Sequence, residues 1–316
     1  MGASKPDAPG RGKPTAAVDD ELTWSLQAGL SRGVNPMRNT IRSIAAALVV
    51  AATAFASPSR AADYKPTVGI QSWTLRNMSF DQVVEFAKKH QIKQLQLIGN
   101  HMNPMASKEE TLKKKAVLDA AGLTVYTFGV TGTTLDKEQN RKLFEFAKLM
   151  GIKVIVTEPG DYKILDNLEE LVKEYDIKIA LHNHGVFSPY GNPAVVKSLL
   201  KYRDPRLGVC LDVGWIASTR LDVAKVFREY EGRVHDIHLK DKKVNNTEKG
   251  DVATDTEIGK GDVNFKGLFA ELTKVKWPGV MAIETDSGTF AGAPDPFVAG
   301  AIKFVDASFA PTQPAK

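Results

Sequence analysis

The sequence predicts an α/β protein whose main part is a single-domain (β/α)8 TIM barrel, and three observations support this prediction. The 316 residues leave room for the roughly 250 that such a barrel needs. From residue 64 onward, short β-rich runs alternate with amphipathic helical segments, which is typical of a parallel sheet. Eight such pairs can be counted, and no G-x-G-x-x-G motif follows the first strand. A closed barrel is therefore favoured over an open, dinucleotide-binding sheet.

Each predicted strand is a short run with β-branched or aromatic residues, and each predicted helix has an apolar stripe. The strands are predicted at residues 68–73, 93–98, 124–129, 153–158, 178–183, 207–212, 234–240 and 280–285. The helices are predicted at residues 79–90, 108–121, 136–151, 166–176, 192–202, 220–232, 264–277 and 293–308. Ser79 is expected to cap the first helix and Gly151 to end the third.

The segment before the barrel predicts export. Residues 1–36 are rich in Gly, Pro and polar residues, and we interpret them as a disordered leader or as the result of a start codon placed too early. Residues 37–62 begin with Met37 and Arg38, continue with an apolar run at 44–55 and end in small residues, as a signal peptide does. The run is short of the ~20 residues of a membrane span, although an uncleaved anchor or a buried helix is the alternative. We therefore expect a barrel at 63–310, a disordered tail at 311–316, and a periplasmic or secreted protein without membrane contact after cleavage.

Charge and cysteine content exclude some classes of function. The formal charge is +5, and residues 1–62 contribute +3 of it, so the barrel carries too little positive charge for a nucleic-acid surface. Cys210 is the only cysteine, so no internal disulfide can form and stability must come from a large core. We expect a small-molecule partner and no nucleic acid, and a homo-oligomer is left open.

Acidic and imidazole side chains gather at the ends of the later strands, where a barrel keeps its active site. The residues are Glu158, His182, His184, Asp212, His238, Lys240 and Glu284. Alternation along a strand places Asp236, His238 and Lys240 on one face, and Cys210 with Asp212 on one face. Each residue also has a simpler interpretation, such as Glu158 capping the next helix or Lys240 pairing with Asp241. His90, His101 and His235 are interpreted as structural.

Several carboxylates facing one another across a barrel mouth would repel, and a divalent cation removes that cost. Carboxylate and imidazole ligands together suit Mn²⁺, Co²⁺, Zn²⁺, Fe²⁺ or Mg²⁺, in no order that the sequence decides. Cys210 lies too deep in its strand to be a ligand. One divalent metal ion of undetermined identity is therefore expected.

Four stretches carry a family resemblance: LGVCLDVGW, GRVHDIHLKDK, IGKGDVNFKGLFAEL and GVMAIET. Over about residues 66–308 the chain resembles the xylose isomerase-like barrel superfamily, the sugar phosphate isomerase/epimerase group of AP endonuclease family 2 type that also contains endonuclease IV and inosose dehydratase. The resemblance implies that Asp212, His238 and Glu284 are metal ligands. The family's usual fourth ligand is a Glu where this chain has His182 in LHNHG, and we favour Glu158 over His182 as its replacement. Trp215 stands where endonuclease IV has a further His, which argues against DNA repair.

The resemblance implies proton transfer next to a carbonyl of a small carbohydrate. We expect Glu158, Glu284, His184 and Lys240 to be catalytic, and His182, His184, Trp73, Trp215 and Lys240 to contact substrate, with Phe128 as a further apolar wall. Packing in the core at the top of the barrel is the alternative for Trp73, Phe128 and Trp215. A sugar isomerase or epimerase is the first expectation. A lyase or dehydratase that eliminates from a keto-sugar or 3-keto-glycoside is the alternative. A metal-dependent hydrolase and a non-catalytic periplasmic sugar-binding barrel also stay open.

Overall fold

The structure, a computed structural model, describes residues 64–230, 232–248 and 250–310. Eight parallel strands close into a barrel, so the predicted fold class is confirmed. The predicted leader, signal peptide and C-terminal tail lie outside the described residues. Within the described residues, no helix is long and apolar enough to cross a membrane.

The strands of the barrel follow one another in the order β1-β10-β7-β6-β5-β4-β3-β2, and the last pairs with the first. Their bounds are β1 Thr67–Gln71, β2 Gln94–Leu97, β3 Thr124–Thr131, β4 Val154–Thr157, β5 Lys178–His182, β6 Leu207–Asp212, β7 Val234–Leu239 and β10 Val280–Ile283. All eight predicted strands are present. Most are one or two residues shorter than predicted because the polar residues at their ends leave the sheet and turn into the mouth.

Helices pack around the barrel and connect successive strands. They are α1 Phe80–Lys89, α2 Lys108–Ala120, α3 Lys137–Met150, α4 Ile164–Tyr175, α5 Pro193–Leu200, α6 Val213–Ser218, α7 Val223–Glu229, α8 Phe265–Val275, α9 Gly288–Gly292 and α10 Pro294–Ser308. The expected ends are confirmed. Ser79 forms a capping box with Gln82, and Gly151 ends α3 at φ 78°, a left-handed conformation that glycine adopts without steric penalty.

Four elements were not predicted, and one of them is the short helix α9, which precedes α10. A 3-10 helix at Ser72–Leu75 follows β1, so Trp73 lies beyond the strand in which it was predicted. The short helix α6 begins directly after β6. An antiparallel hairpin, β8 Lys242–Thr247 and β9 Gly250–Asp255, follows β7. Its strands are largely polar and lack the apolar alternation by which a half-buried strand is recognised.

Apolar packing falls into two layers. The main core lies between the barrel and the helices, while a small cluster of Val154, Val156, Ala180 and Cys210 fills the barrel interior. Phe128 belongs to the outer layer, where its ring lies 5.0 Å from that of Phe146 on α3, and it is fully buried. The prediction that Phe128 forms a wall of the site is therefore wrong, because its side chain points away from the barrel axis.

Candidate functional site

Five adjacent strands of the barrel deliver polar side chains to one end. In barrel order these strands are β4, β5, β6, β7 and β10, and the residues at their ends are Glu158, His182, Asp212, His238 and Glu284. Because all strands are parallel, their carboxyl ends meet at the same mouth. The predicted site residues are therefore brought together, apart from the aromatic residues discussed below.

Four of these side chains form a buried group, which we call the buried quartet: His182, Asp212, His238 and Glu284. One ligand atom from each lies within 4.8 Å of the others. His182 Nε2 is 3.1 Å from His238 Nδ1 and 3.6 Å from Asp212 Oδ2. His238 Nδ1 is 2.6 Å from Glu284 Oε2 and 3.7 Å from Asp212 Oδ2. Glu158, favoured from the sequence as the fourth ligand, lies outside this group, and the geometry favours His182 in its place.

Asp212 has two roles, one for each oxygen. Its Oδ1 accepts a hydrogen bond of 2.9 Å from the backbone N–H of Trp215 and so caps α6. Its Oδ2 points to the quartet and, like Glu284 Oε2, forms ion pairs there but no hydrogen bond of good geometry among the described residues. The cap restricts the orientation of the carboxylate, so Asp212 both caps α6 with Oδ1 and contributes Oδ2 to the quartet.

Lys240 supplies a buried positive charge beside the quartet. Its side chain is 1% exposed, and Nζ lies 3.0 Å from Asp212 Oδ2, 3.3 Å from Glu284 Oε2 and 2.8 Å from Asp286 Oδ2. Burial opposes the charge, but these carboxylates outweigh it and raise the pKa of Lys240 well above its usual value. Burial would raise the pKa of Glu284, but the nearby His238 and Lys240 have the larger effect and lower this pKa to about 2.

The proposed Lys240–Asp241 pair does not form. Asp241 instead accepts backbone hydrogen bonds from Gly259 and Gly261 at 2.9 and 2.8 Å. Asp241 therefore anchors the loop that leads to α8, while the Lys240 ammonium pairs with the carboxylates of the site.

A second group lies beside the quartet and is more open to solvent. The Glu158 carboxylate bonds to the His184 ring at Nδ1 and accepts a hydrogen bond from Ser188 Oγ. Burial would raise the pKa of Glu158, but hydrogen bonds from His182, His184 and Ser188 hold it below its usual range. Desolvation would lower the pKa of His184, but the hydrogen bond and negative charge of Glu158 have the larger effect and raise it. The His184 side chain is 45% exposed. Since α4 has no side-chain cap, the capping interpretation of Glu158 is not supported.

His182 connects the two groups. While its Nε2 faces the quartet, its Nδ1 is 3.2 Å from His184 Nδ1 and 3.7 Å from Glu158 Oε2. Protonation of this fully buried ring, or metal binding on its quartet side, therefore alters its interaction with the second group.

Sequence reasoning missed the residues that hold His238. Gln96 on β2 accepts a hydrogen bond of 2.9 Å from His238 Nε2, which leaves Nδ1 for the quartet. Deeper in the barrel, Asp236 Oδ2 lies 3.8 Å from His238 Nε2, and Asp236 accepts a hydrogen bond of 3.0 Å from Tyr126. Burial raises the pKa of Asp236 to about 6. Gln96 stands in a predicted strand, and alternation along that strand was the signal that could have found it.

The two tryptophans differ from the prediction in their surroundings. Lys242 Nζ lies 3.8 Å from the Trp215 ring centroid, so one face of this ring is already covered. Its buried Nε1 has no acceptor among the described residues. Trp73 is 39% exposed and has the Arg76 guanidinium 4.8 Å from its ring centroid. Within the described ranges, no hydrogen bond or ring contact joins the Trp73 side chain to the quartet.

The quartet fits a divalent cation. It offers two carboxylates and two imidazoles, a donor set that borderline ions accept. Four ligands at bond lengths of ~2.1 Å in a tetrahedron would be about 3.4 Å apart, close to most of the separations given above. Asp212 Oδ2 and Glu284 Oε2, which make no hydrogen bond of good geometry among the described residues, have the lone pairs that such an ion would use.

Comparison with known sequences identifies one family. A profile described as the xylose isomerase-like TIM barrel matches residues 61–306. Inosose dehydratase of Clostridium tetani is 26% identical over 155 residues, 45% of this chain and 52% of the relative, so the chain spans about half the length of that protein. Inosose dehydratase of Clostridium perfringens is 24% identical over 238 residues, 62% of this chain and 80% of the relative.

Solved structures share the fold. The probable 3-DHS dehydratase AsbF from Bacillus anthracis is 16% identical with a TM-score of 0.61, over 75% of this chain and 98% of that one. A D-tagatose 3-epimerase-like protein is 19% identical with a TM-score of 0.58, over 77% and 100%. The IolI protein with a bound zinc atom is 13% identical with a TM-score of 0.60, over 78% and 100%.

Proposed function

The chain belongs to the xylose isomerase-like TIM barrel family, and we propose that it is a metal-dependent enzyme that moves a proton on the carbon next to a carbonyl of a small carbohydrate. The observation that carries the proposal is the buried quartet, in which the carboxylates of Asp212 and Glu284 and the imidazoles of His182 and His238 converge. His182, Asp212, His238 and Glu284 would hold the ion. When bound, a divalent ion supplies Lewis-acid polarisation of the substrate carbonyl and so acidifies the neighbouring C–H bond.

Proton transfer is assigned to the paired Glu158 and His184. Because Nδ1 of His184 faces Glu158, exchange with the substrate falls to Nε2. The carboxylate holds the ring in one orientation and stabilises the imidazolium that forms when His184 takes a proton. The half-exposed His184 side chain is open to the mouth, as a group that meets substrate must be.

Three further groups are placed to act on the substrate. Lys240 carries an ammonium within 3.3 Å of the quartet carboxylates and is placed to stabilise the oxygen that becomes negative as the proton leaves. Glu284 is ionised, because its pKa is about 2, and is the second carboxylate that can exchange a proton with substrate. The Trp215 indole N–H is available to a substrate oxygen.

The first candidate is an isomerase or epimerase, which returns the proton to the substrate. The second is a lyase or dehydratase, in which a group on the next carbon leaves in place of proton return. It is favoured by one observation: both curated relatives described above are inosose dehydratases. The two candidates share the proton-removal step and differ in the fate of the intermediate that this step produces.

Incubation of metal-loaded protein with a panel of keto-sugars and 3-keto-glycosides in D₂O tests the proposal. An isomerase or epimerase incorporates deuterium into an isomeric product, whereas a lyase gives an unsaturated product and releases the leaving group. Deuterium exchange into at least one substrate is expected in either case. Absence of exchange across the panel would contradict the proposal, and hydrolysis without exchange would assign the site to a hydrolase.

A further inference from the structure

The loop between β5 and α5 carries two exposed apolar side chains, which we call the apolar tip: Val186, 65% exposed, and Phe187, 99% exposed. His184 lies two residues before the tip and Ser188 directly after it, and both side chains bond to the Glu158 carboxylate. Because its neighbours on both sides contact Glu158, the apolar tip lies at the rim of the candidate site.

The base of this loop is held in place. Tyr190 donates a hydrogen bond of 2.8 Å to the carbonyl of Pro159, and Tyr162 donates one of 2.9 Å to the carbonyl of Pro189. Gly185 has φ 51° and packs on Trp215, where a Cβ would lie 2.8 Å from Cε3 of the indole. The loop is therefore anchored at the site by its polar and glycine residues while the apolar tip faces solvent.

The apolar tip is part of a wider pattern. Among the residues that the structure describes, eight of thirteen exposed large hydrophobic side chains lie in segments that follow barrel strands. Such segments are at the end of the barrel that holds the site. Besides the apolar tip, they contribute Trp73, Met105, Leu135, Tyr162, Leu221 and Val252. Single exposed apolar side chains are common on protein surfaces, so it is the position of the apolar tip beside Glu158 that points to a binding role.

The mouth thus has a charged floor and an apolar rim. The floor of carboxylates, imidazoles and Lys240 suits the oxygens of a sugar, but an unsubstituted sugar offers little apolar surface to a phenylalanine ring at the rim. Burial of such a ring against another ring is among the larger favourable contributions that one side chain makes to binding. Building on the function proposed above, we infer that the substrate is a sugar bearing an apolar, aromatic substituent, such as an aromatic glycoside, and that Phe187 binds that substituent.

Equilibrium binding tests this inference without turnover. Matched phenyl and methyl β-glycosides of glucose, galactose and xylose are titrated into metal-loaded protein by calorimetry. For at least one sugar we expect the phenyl glycoside to bind about tenfold more tightly than the methyl glycoside, the size expected of an aromatic pair with partial ring burial. In Phe187→Ser the ratio of the two dissociation constants should fall to within about twofold.

Tyr202→Ser is the matched control. Tyr202 is 87% exposed and follows α5 at the opposite end of the barrel, so this variant should keep the wild-type ratio. Equal affinities in all three sugar pairs, or a preference that survives Phe187→Ser, would overturn the inference. A fall in molecular mass of Phe187→Ser by light scattering, with the ligand preference unchanged, would assign the tip to contact with a second copy and overturn it too. Binding is measured separately from deuterium exchange, so failure here is distinguishable from failure of the proposed reaction.

Discussion

Replacement of Lys240 by methionine tests whether its positive charge stabilises the buried carboxylates of the site. The ammonium is 1% exposed and lies within 3.3 Å of three carboxylates, those of Asp212, Glu284 and Asp286. Methionine keeps most of the volume and removes the charge, which leaves buried carboxylates uncompensated. Breaking a buried ion pair in this way costs about 3–5 kcal/mol. For a domain of this size that corresponds to a fall in Tm of roughly 6–20 °C in metal-free protein.

Two further measurements by calorimetry or circular dichroism sharpen this prediction. Saturating divalent metal should restore most of the lost Tm, because an ion held by the quartet supplies the missing positive charge. Lowering the pH should also narrow the difference from wild type. Without Lys240 the pKa of Glu284 rises from about 2, so the carboxylate takes up a proton earlier and the penalty disappears as pH falls.

The control is Lys243→Met, since Lys243 pairs with Asp262 at 2.5 Å but is 52% exposed. Such a surface pair contributes ~0–1 kcal/mol, so this variant should lose little. The reasoning would be refuted if metal-free Lys240→Met had the same Tm as Lys243→Met, or if added metal failed to raise the Tm of Lys240→Met.

Three other outcomes are expected. Glu158→Gln and His184→Gln should keep the metal and lower turnover by the ~10²–10⁴-fold typical of an acid–base group; unchanged kcat in both would remove this pair from the mechanism. Gln96→Leu should weaken metal affinity about 10–100-fold, measured by chelator competition, because His238 loses the acceptor that orients it; wild-type affinity would show that the ring needs no such partner. Mass spectrometry of protein from the host should find a mature N-terminus near Ala62, and a soluble cytosolic form that retains residues 44–55 would contradict the predicted export.

Periodic sequence patterns were sufficient to predict the barrel. Every strand and every main helix was found, because alternating apolar residues and capping residues such as Ser79 and Gly151 are local signals. The hairpin β8–β9 was missed since its strands are largely polar, and their pairing depends on contacts that no local pattern records. Phe128 was placed in the site because the pairing of β3 with β2 shifts by one residue between Val125 and Thr127, so simple alternation assigns the residues that follow to the wrong face.

The sequence predicted where the polar side chains of the site converge but not how they are arranged. Strand ends identified Asp212, His238 and Glu284, and the structure gathers all three. The choice between Glu158 and His182 depends on differences of a few ångströms across the mouth, which sequence spacing does not contain. Alternation along its strand could have placed Gln96 inside the barrel, but its contact with His238, 142 residues away, is visible only once the barrel closes.

The central claim is that the buried quartet holds one divalent ion, and metal content of purified variants tests it most directly. Elemental analysis should find one ion per chain in the wild type and in Glu158→Gln. It should find the ion lost, or bound at least about tenfold more weakly, in His182→Gln, Asp212→Ala, His238→Ala and Glu284→Ala. A wild-type protein that binds no divalent ion would contradict the account and favour a non-catalytic sugar-binding barrel, while loss of the ion in Glu158→Gln with retention in His182→Gln would replace His182 by Glu158 as the fourth ligand.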